Sequence, residues 1–310
     1  MRLKNSKFRL HPDAQIFMCT GDGLQSYMNT NSPELVFFHP PWHVGVRYAL
    51  RLLVQTRKLK NNGVDVVICA NQKSEVRLLR VLGVRCVYLN QNLHLPENLY
   101  RPVERVDNRY DAVYTAQARP FKRMHLAKDV SRLYVLTYGA KSNSDGENDL
   151  LASEPLLVEA DFNKGFIHDK EEISRLYAAA SCGLALSKKE GAMWASMEYL
   201  MAGLPVVTTK NIGGRNRYFQ PSYAKEVSDS SEEVKKAVDF FVQNPPDRKM
   251  IRESVLEMVE ADRKSFLDMV NKLAQERGFD ATNSEYIWGG GDGILTRHEL
   301  IVSEKSKMSS

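Results

Sequence analysis

The sequence has no long apolar run, and no secretory signal is visible at its N-terminus. Its apolar stretches are all well short of the roughly 20 residues that a helix needs to cross a membrane. Its N-terminus is polar and basic and has no apolar segment of the kind found in secretory signals. These absences predict a cytoplasmic protein without a transmembrane segment.

Cysteines are few, and several motifs of common site chemistries are missing. The four cysteines do not form a Cys-x-x-Cys pair, so we expect free thiols in a reducing compartment and no metal site; they are Cys19, Cys69, Cys86 and Cys182. No Asp-x-Asp motif stands at the end of a predicted strand. The glycine-rich residues 288–293 are not a P-loop, because no Gly-Lys-Ser/Thr follows.

The charge is unevenly distributed along the 310 residues. Residues 1–130 contain 20 Lys and Arg against 10 Asp and Glu, whereas the remainder contains 23 against 28. A basic half indicates a polyanionic partner, such as nucleic acid, a phosphorylated glycan or an anionic membrane surface. An ordinary solvated surface is the alternative. Composition, with 43% hydrophobic and 26% charged residues, is that of a soluble globular protein.

The first half of the sequence predicts a doubly wound α/β sheet. Apolar, β-branched runs alternate with segments of helical periodicity, which is typical of parallel sheets with crossover helices. The predicted strands are 14–19, 34–39, 64–70 and 84–90, and the predicted helices are 45–60 and 73–82. Ligands of such sheets bind at the carboxyl ends of the strands. Trp42, His43 and His94 follow such ends and are candidate ligand-binding residues, although lone loop histidines are more often structural.

A second α/β series follows a polar linker at 96–109. Its predicted strands are 110–115, 132–138, 156–160 and 206–208, and its predicted helices are 169–181, 192–202, 228–243 and 247–277. A basic loop at 118–123 is expected to open a further helix. Residues 140–153 are expected to form a mobile loop, and 278–310 an appendage with a disordered end.

The stretch 184–209 is the most informative part of the chain. It predicts a strand, a polar loop, a helix that Gly203 ends, and a second strand. Amide groups near Gly191, Ala192 and Met193 at the start of that helix would bind a phosphate group. Glu190 and Glu198 bracket this site, and eight residues of helical rise would separate them by roughly 12 Å. Two solvated helix carboxylates are the alternative.

The wider string resembles the E-x7-E region of family 4 glycosyltransferases, which are retaining enzymes of the GT-B fold. The matching residues are Ser187, Glu190, Gly191, Ser196, Met197, Glu198, Ala202, Gly203, Pro205, Val206 and Val207. The resemblance implies two Rossmann-like doubly wound parallel-sheet domains that face each other across a cleft. It places an acceptor-side domain at 1–105 and a nucleotide-sugar domain at 106–250. Trp42, His43 and His94 are then acceptor-side candidates, together with Arg215. Residues 251–277 would be a long helix crossing back to the first domain.

The resemblance also implies roles for individual residues. Glu190 would contact the donor sugar and Glu198 the nucleotide ribose. Arg119 and Lys122 would neutralise the donor diphosphate, with Arg123 as an alternative to Lys122. Ser187 and residues 191–193 would complete the donor site. Gly213 and Gly214 would offer backbone contacts. The acidic residue that many family members carry after these glycines is missing here, and Arg215 and Arg217 are instead candidates to reach a phosphate or an acidic acceptor.

The resemblance therefore implies a retaining glycosyltransferase that uses a UDP-linked donor and requires no metal or other cofactor. The basic first half suits a polyanionic acceptor, such as a hydroxymethylated base in viral-type DNA. A cell-surface glycan or a lipid-linked sugar is the alternative acceptor. A nucleotide-sugar-binding or DNA-binding protein without turnover is the alternative from another class. The sequence leaves the oligomeric state open.

Overall fold

The computed structural model describes residues 7–21, 23–28, 33–103, 107–117, 119–137, 157 and 159–289. These residues fold into two compact units. The first unit comprises Met1–Pro96, Gly213–Arg217 and Val259–Ser310. The second unit comprises Glu97–Ile212 and Tyr218–Met258. The predicted mobile loop and the end of the predicted appendage lie outside the described residues.

The first unit is built on a five-stranded sheet in the order β1-β2-β3-β4-β5. β1 pairs antiparallel with β2, and the other pairings are parallel. The strands are β1 (Lys7–Arg9), β2 (Ile16–Thr20), β3 (Glu34–His39), β4 (Val64–Ala70) and β5 (Cys86–Tyr88). β3 and β4 are buried along nearly their whole length, as continuous apolar runs in a parallel sheet require.

Helices cover both faces of this first sheet. One face packs on α1 (Val46–Asn61) and α2 (Lys73–Val81) through a core that includes Val36, Leu52 and Ile68. On the opposite face, the ring of Phe37 meets that of Phe266 edge-on, with centroids 5.2 Å apart. Both faces of the sheet are therefore shielded from solvent, which explains why the sequences of β3 and β4 are uninterrupted apolar runs rather than an alternating pattern.

The second unit contains a six-stranded sheet in the order β11-β10-β9-β6-β7-β8, with every pairing parallel. Its strands are β6 (Tyr110–Ala116), β7 (Leu133–Thr137), β8 (Asp161–Phe162), β9 (Ala180–Ala185), β10 (Val206–Thr209) and β11 (Ala224–Val227). Its helices are α3 (Lys170–Ala178), α4 (Trp194–Met201) and α5 (Ser231–Gln243). The strand order reverses between β6 and β9, which is where parallel sheets hold their ligands.

Two helices complete the fold. α6 (Arg248–Gln275) has 28 residues, which belong to the second unit up to Met258 and to the first unit from Val259. The short α7 (Ser284–Trp288) was not predicted and lies in the segment expected to be an appendage. Its Trp288 ring stacks on His94 of the first unit at 6.3 Å between centroids. The α/β fold class with two parallel sheets is confirmed.

Several local predictions need correction. The basic loop does not open an α-helix but forms two 3-10 helices, Pro120–Lys122 and Met124–Ala127, because Arg123 between them is left-handed at φ 53°. No strand covers 159–160, which form a turn that leads into β8. The helix predicted to start at 169 begins at Lys170, and Asp169 is its N-cap, where its carboxylate accepts from the Glu171 amide at 2.9 Å.

All four cysteines are buried free thiols, as expected from their spacing. Burial raises the pKa of Cys69 and Cys182, so both stay protonated near neutral pH. Among the described residues, no helix is both long and apolar enough to cross a membrane.

Candidate functional site

The candidate site lies at the carboxyl edge of the second sheet. β6, β9 and β10 are neighbours there, and each is followed by a polar segment. Lys122 follows β6, Glu190 follows β9, and Thr209 ends β10. Parallel strands place their carboxyl ends at the same edge, so residues far apart in sequence meet at one point.

Lys122 and Glu190 form a buried ion pair at this edge. The Lys122 ammonium donates to Oε1 of Glu190, and the two residues are each only 6% exposed. Ser187 donates from Oγ to the same carboxylate oxygen at 2.7 Å. The Glu190 amide donates to the Ile212 carbonyl at 3.1 Å, which fixes the loop after β9. A buried charge pair that is also hydrogen-bonded has a defined geometry, which suits a binding site.

Arg123 has a different environment from Lys122. Its Nε donates to the Leu186 carbonyl at 2.7 Å and a terminal nitrogen donates to Thr209 Oγ1 at 2.5 Å. Its other terminal nitrogen lies 2.6 Å from a carboxylate oxygen of Asp229. Arg123, which lies after β6, thus contacts the segment that follows β9, the last residue of β10 and the segment that follows β11. Arg119, by contrast, is exposed at the start of the 3-10 helix Pro120–Lys122.

Glu198 lies on α4 and is held by two tyrosines that sequence reasoning missed. Tyr100 donates from its hydroxyl to Oε1 at 3.0 Å, and Tyr177 donates to Oε2 at 2.9 Å. Burial, with the Glu198 charge second, raises the pKa of Tyr177 well above its ordinary value. The tyrosine therefore stays protonated, and Thr115, 3.1 Å away, acts as donor to it.

The tyrosines are in turn fixed by arginines of α6. Arg252 donates to the Tyr100 carbonyl at 2.7 Å, and Arg248 donates to the Tyr177 carbonyl at 3.1 Å. Each carboxylate oxygen of Glu198 keeps a second acceptor direction after binding one tyrosine. Glu198 can thus accept further hydrogen bonds from a ligand while its position is set by the protein.

The start of α4 differs from the prediction. The helix begins at Trp194, and Met193 occupies the N-cap position in the left-handed region at φ 51°. Gly191 and Ala192 therefore lie in a loop. The expected separation of roughly 12 Å between Glu190 and Glu198 assumed a continuous helix from one to the other, and that assumption is wrong. A non-glycine residue with positive φ is uncommon and often marks a functional site.

The acceptor-side candidates lie in the first unit and differ in exposure. Trp42 is 51% exposed, whereas Arg215 is 1% exposed with Nε 3.2 Å from Asn216 Oδ1. Nδ1 of His43 lies 2.8 Å from the buried Glu75 carboxylate, which also accepts from the Val44 amide.

His94 is buried in a chain of ring contacts. Trp288 donates from Nε1 to Nδ1 of His94 at 3.3 Å, so the proton of His94 lies on Nε2 and points at Nε2 of His39, 3.1 Å away. Burial lowers the pKa of His39 to about 3 and that of His94 below its ordinary value. Both rings are neutral at pH 7.

Gly213 and Gly214 lie in the first unit beside the ends of β4 and β5. Asn90 donates from its side chain to the Gly214 carbonyl at 2.7 Å. A Cβ on Gly214 would be 2.4 Å from the Asn71 carbonyl oxygen, so only glycine fits there. Arg217 forms a two-pronged ion pair with Asp262.

Comparison with known proteins gives a family match for part of the chain and solved structures of similar fold. Residues 122–258 match the family model described as glycosyl transferases group 1. No curated protein matches the sequence at a significant level.

Solved structures show the fold. Sucrose-phosphate synthase from Thermosynechococcus elongatus is 17% identical over 85% of this chain and 74% of its own, at a TM-score of 0.62. TarM of S. aureus is 13% identical over 84% of this chain, at a TM-score of 0.60. This chain spans only 56% of the length of TarM. Anabaena HepE, solved with UDP, is 13% identical over 94% of this chain and 78% of its own, at 0.57. The chain therefore has the GT-B fold and carries, over residues 122–258, a match to the group 1 glycosyltransferases.

Proposed function

We propose that the protein transfers a sugar from a nucleotide-sugar donor to an acceptor hydroxyl. The observation that carries this proposal is the buried Lys122–Glu190 pair at the carboxyl edge of the second sheet, inside the segment that matches the glycosyltransferase family. A nucleoside diphosphate gains negative charge as it leaves, so a fixed cation at that point stabilises the transition state more than the ground state.

The proposed roles follow from the contacts. Lys122 binds the donor diphosphate, and the exposed Arg119 adds a second charge. Glu190 binds hydroxyls of the donor sugar, and Glu198 binds the ribose hydroxyls. Arg123 uses all three of its nitrogens on Leu186, Thr209 and Asp229. The Lys122 ammonium has three N–H donors and is paired with Glu190 alone among the side-chain carboxylates of the described residues, which supports Lys122 rather than Arg123 as the diphosphate ligand.

We propose a retaining reaction in which the leaving phosphate accepts the proton of the attacking hydroxyl. The protein's contribution is then positioning and charge stabilisation, and no side chain needs to act as general base. Ser187 orients the Glu190 carboxylate, and Ser196 donates to the Met193 carbonyl at 2.7 Å, which fixes the first turn of α4. The proposal includes no metal or other cofactor.

The donor is proposed to be UDP-linked, which is supported by the UDP in the similar HepE structure. DNA as acceptor, a cytoplasmic location and the alternative of a glycan or lipid-linked acceptor stay predictions from the sequence. A gel-shift assay with duplex DNA over a salt series tests the DNA acceptor, since phosphate contacts weaken steeply with salt.

The test of the function is nucleoside diphosphate release. UDP-sugars are screened first by thermal shift, because a ligand at about 100 times its dissociation constant stabilises by about 2.7 kcal/mol. Release is then measured for the wild type, for Glu190→Gln and Lys122→Met, and for Glu171→Gln as an exposed control. We expect release by the wild type and the control only. Binding without release under any condition would instead indicate the non-catalytic alternative, and no binding of any nucleotide sugar would contradict the proposal.

A further inference from the structure

The outward face of α1 carries an exposed apolar ridge. Val46, Leu50 and Val54 are 61%, 46% and 53% exposed. They are spaced four residues apart, so on a helix they follow one another along one line. Single exposed apolar residues are normal on protein surfaces, but a contiguous row of them marks an interaction site.

A basic ridge runs beside the apolar one. Arg47 and Arg51 each lie one residue beyond an apolar ridge position, and Lys58 continues the same side of the helix seven residues on. The 16-residue helix has two further basic residues, at 57 and 60, and no acidic residue. Within the described part of the chain, no ion pair neutralises Arg47, Arg51 or Lys58.

The core does not require this apolar ridge. α1 already packs inward through Ala49, Leu52 and Leu59, each fully buried. A surface helix with one packed face normally carries polar residues on the other. Here the second face combines branched apolar side chains with arginines and lysines. Four residues before the helix, Trp42 is also half exposed.

We propose that this α1 surface, formed by Val46, Arg47, Leu50, Arg51, Val54 and Lys58, docks on an anionic lipid membrane. A helix lying in the membrane interface buries an apolar face at the boundary of headgroups and acyl chains, while lysines and arginines bind lipid phosphates. On α1, the apolar ridge would enter the membrane interface, and the basic ridge beside it would bind the lipid phosphates.

The charge pattern argues against the other occupants. Duplex DNA would bind the basic ridge through its phosphates, but the apolar ridge would gain nothing there. A second copy of the chain, paired through the same face, would bring two basic ridges together. This inference concerns the first unit and does not depend on the proposed donor chemistry of the second.

The experiment is vesicle flotation of the full chain at low and high salt. Phosphatidylcholine vesicles are compared with vesicles that also contain phosphatidylglycerol. The variants are Val46→Ser/Leu50→Ser/Val54→Ser for the apolar ridge and Arg47→Gln/Arg51→Gln for the basic ridge. Lys249→Gln/Met250→Ser is the matched control, because it removes one exposed basic and one exposed apolar residue from α6.

We expect the wild type and the control to float with anionic vesicles only. Each basic residue near an anionic surface contributes about 1 kcal/mol, so the double arginine variant should bind about 30-fold more weakly. The apolar variant should keep a weak, fully salt-sensitive binding. Emission of Trp42, compared with a Trp42→Phe protein, should shift to the blue on binding.

Three results would overturn the proposal. The first is wild-type protein that ignores anionic vesicles at low salt. The second is binding by both ridge variants that equals that of the wild type, with thermal unfolding confirming that the variants are folded. The third is tight binding to duplex DNA that the apolar variant retains in full while vesicle binding is absent, which would assign the basic ridge to nucleic acid.

Discussion

Lys122 and Glu190 share a hydrogen bond in the interior of the second unit, although 68 residues separate them in the chain. One follows β6 and the other follows β9, so the pair exists only because these strands are neighbours. Each charge compensates the other where water is largely excluded. Stability and the proposed chemistry should therefore respond differently to changes at this pair.

Lys122→Met should strongly destabilise the protein, because it leaves the Glu190 carboxylate buried without its cation. Removing one partner of a buried pair typically costs about 3–5 kcal/mol, whereas replacing both is often close to neutral. We therefore expect Lys122→Met/Glu190→Gln to regain most of the stability but no activity, as measured by urea unfolding and by nucleoside diphosphate release. Lys236→Met, at an exposed pair, is the control. A double variant no more stable than Lys122→Met would refute this account.

Tyr177→Phe should weaken recognition of the nucleotide ribose. Without the tyrosine hydroxyl, Glu198 loses one of the two donors that fix its carboxylate. The preference of the wild type for a nucleoside diphosphate over its 2′-deoxy analogue should shrink several-fold in Tyr177→Phe and Tyr100→Phe. If the tyrosine had a purely structural role, its substitution would lower the affinity for both ligands equally. Calorimetric titration of both ligands distinguishes the two results, with Tyr134→Phe, half buried and remote from Glu198 in sequence, as the control.

The strands and helices of the first sheet were largely predictable. β3 and β4 have the bounds that the sequence predicts, and α1 and α2 end within one residue of theirs. Uninterrupted apolar runs and a clear helical period leave few alternatives there. The loop at 119–123 was not predictable, because a left-handed Arg123 results from tertiary contacts with Leu186, Thr209 and Asp229.

The buried pair of His39 and His94 should make stability depend on pH. Both pKa values lie below the ordinary 6.5, that of His39 at about 3, so the unfolded chain binds more protons than the folded one between these limits. Stability should be complete above pH 6.5 and fall as pH drops towards 3, by up to about 1.4 kcal/mol per pH unit for each ring.

His39→Gln tests this dependence. The glutamine can still accept from Nε2 of His94 but does not titrate. The slope of the unfolding free energy against pH should therefore decrease by about 1.4 kcal/mol per pH unit, which is the contribution of one proton. His168→Gln removes an exposed histidine and should leave the slope unchanged. An unaltered slope in His39→Gln would show that the ring titrates normally.

Gly203 should tolerate alanine less well than Gly83 does. Both glycines have φ +72°, so either substitution costs about 1–2 kcal/mol for a left-handed conformation. At Gly203 the new Cβ would also lie 2.4 Å from the Arg248 carbonyl oxygen, whereas nothing lies within 4 Å at Gly83. Overpacking of this kind costs about 1–3 kcal/mol more. Urea unfolding of the two variants measures the difference, and equal losses would mean that α6 shifts freely.

The candidate site was predictable where one stretch of sequence supplies it. Glu190, Glu198 and Gly203 lie in a single strand–loop–helix segment, and the sequence pattern of this segment predicts that order of elements. Tyr100 and Tyr177 were missed because their hydroxyls reach Glu198 from the linker and from α3, and an aromatic residue in an apolar pattern predicts only core packing. The contact of Trp288 with His94 was missed for another reason, because Trp288 begins the glycine-rich residues 288–293 of an expected appendage.

The buried thiols have a practical consequence. Because Cys19, Cys69, Cys86 and Cys182 are all shielded, alkylating reagents should reach them only when the chain opens. The native protein thus needs no cysteine removal before a single new cysteine is attached to a fluorophore or spin label. Such a label at Gln55 on α1 would report how deeply that helix enters a membrane. The slow reaction of the four native cysteines would measure the rate at which the protein unfolds.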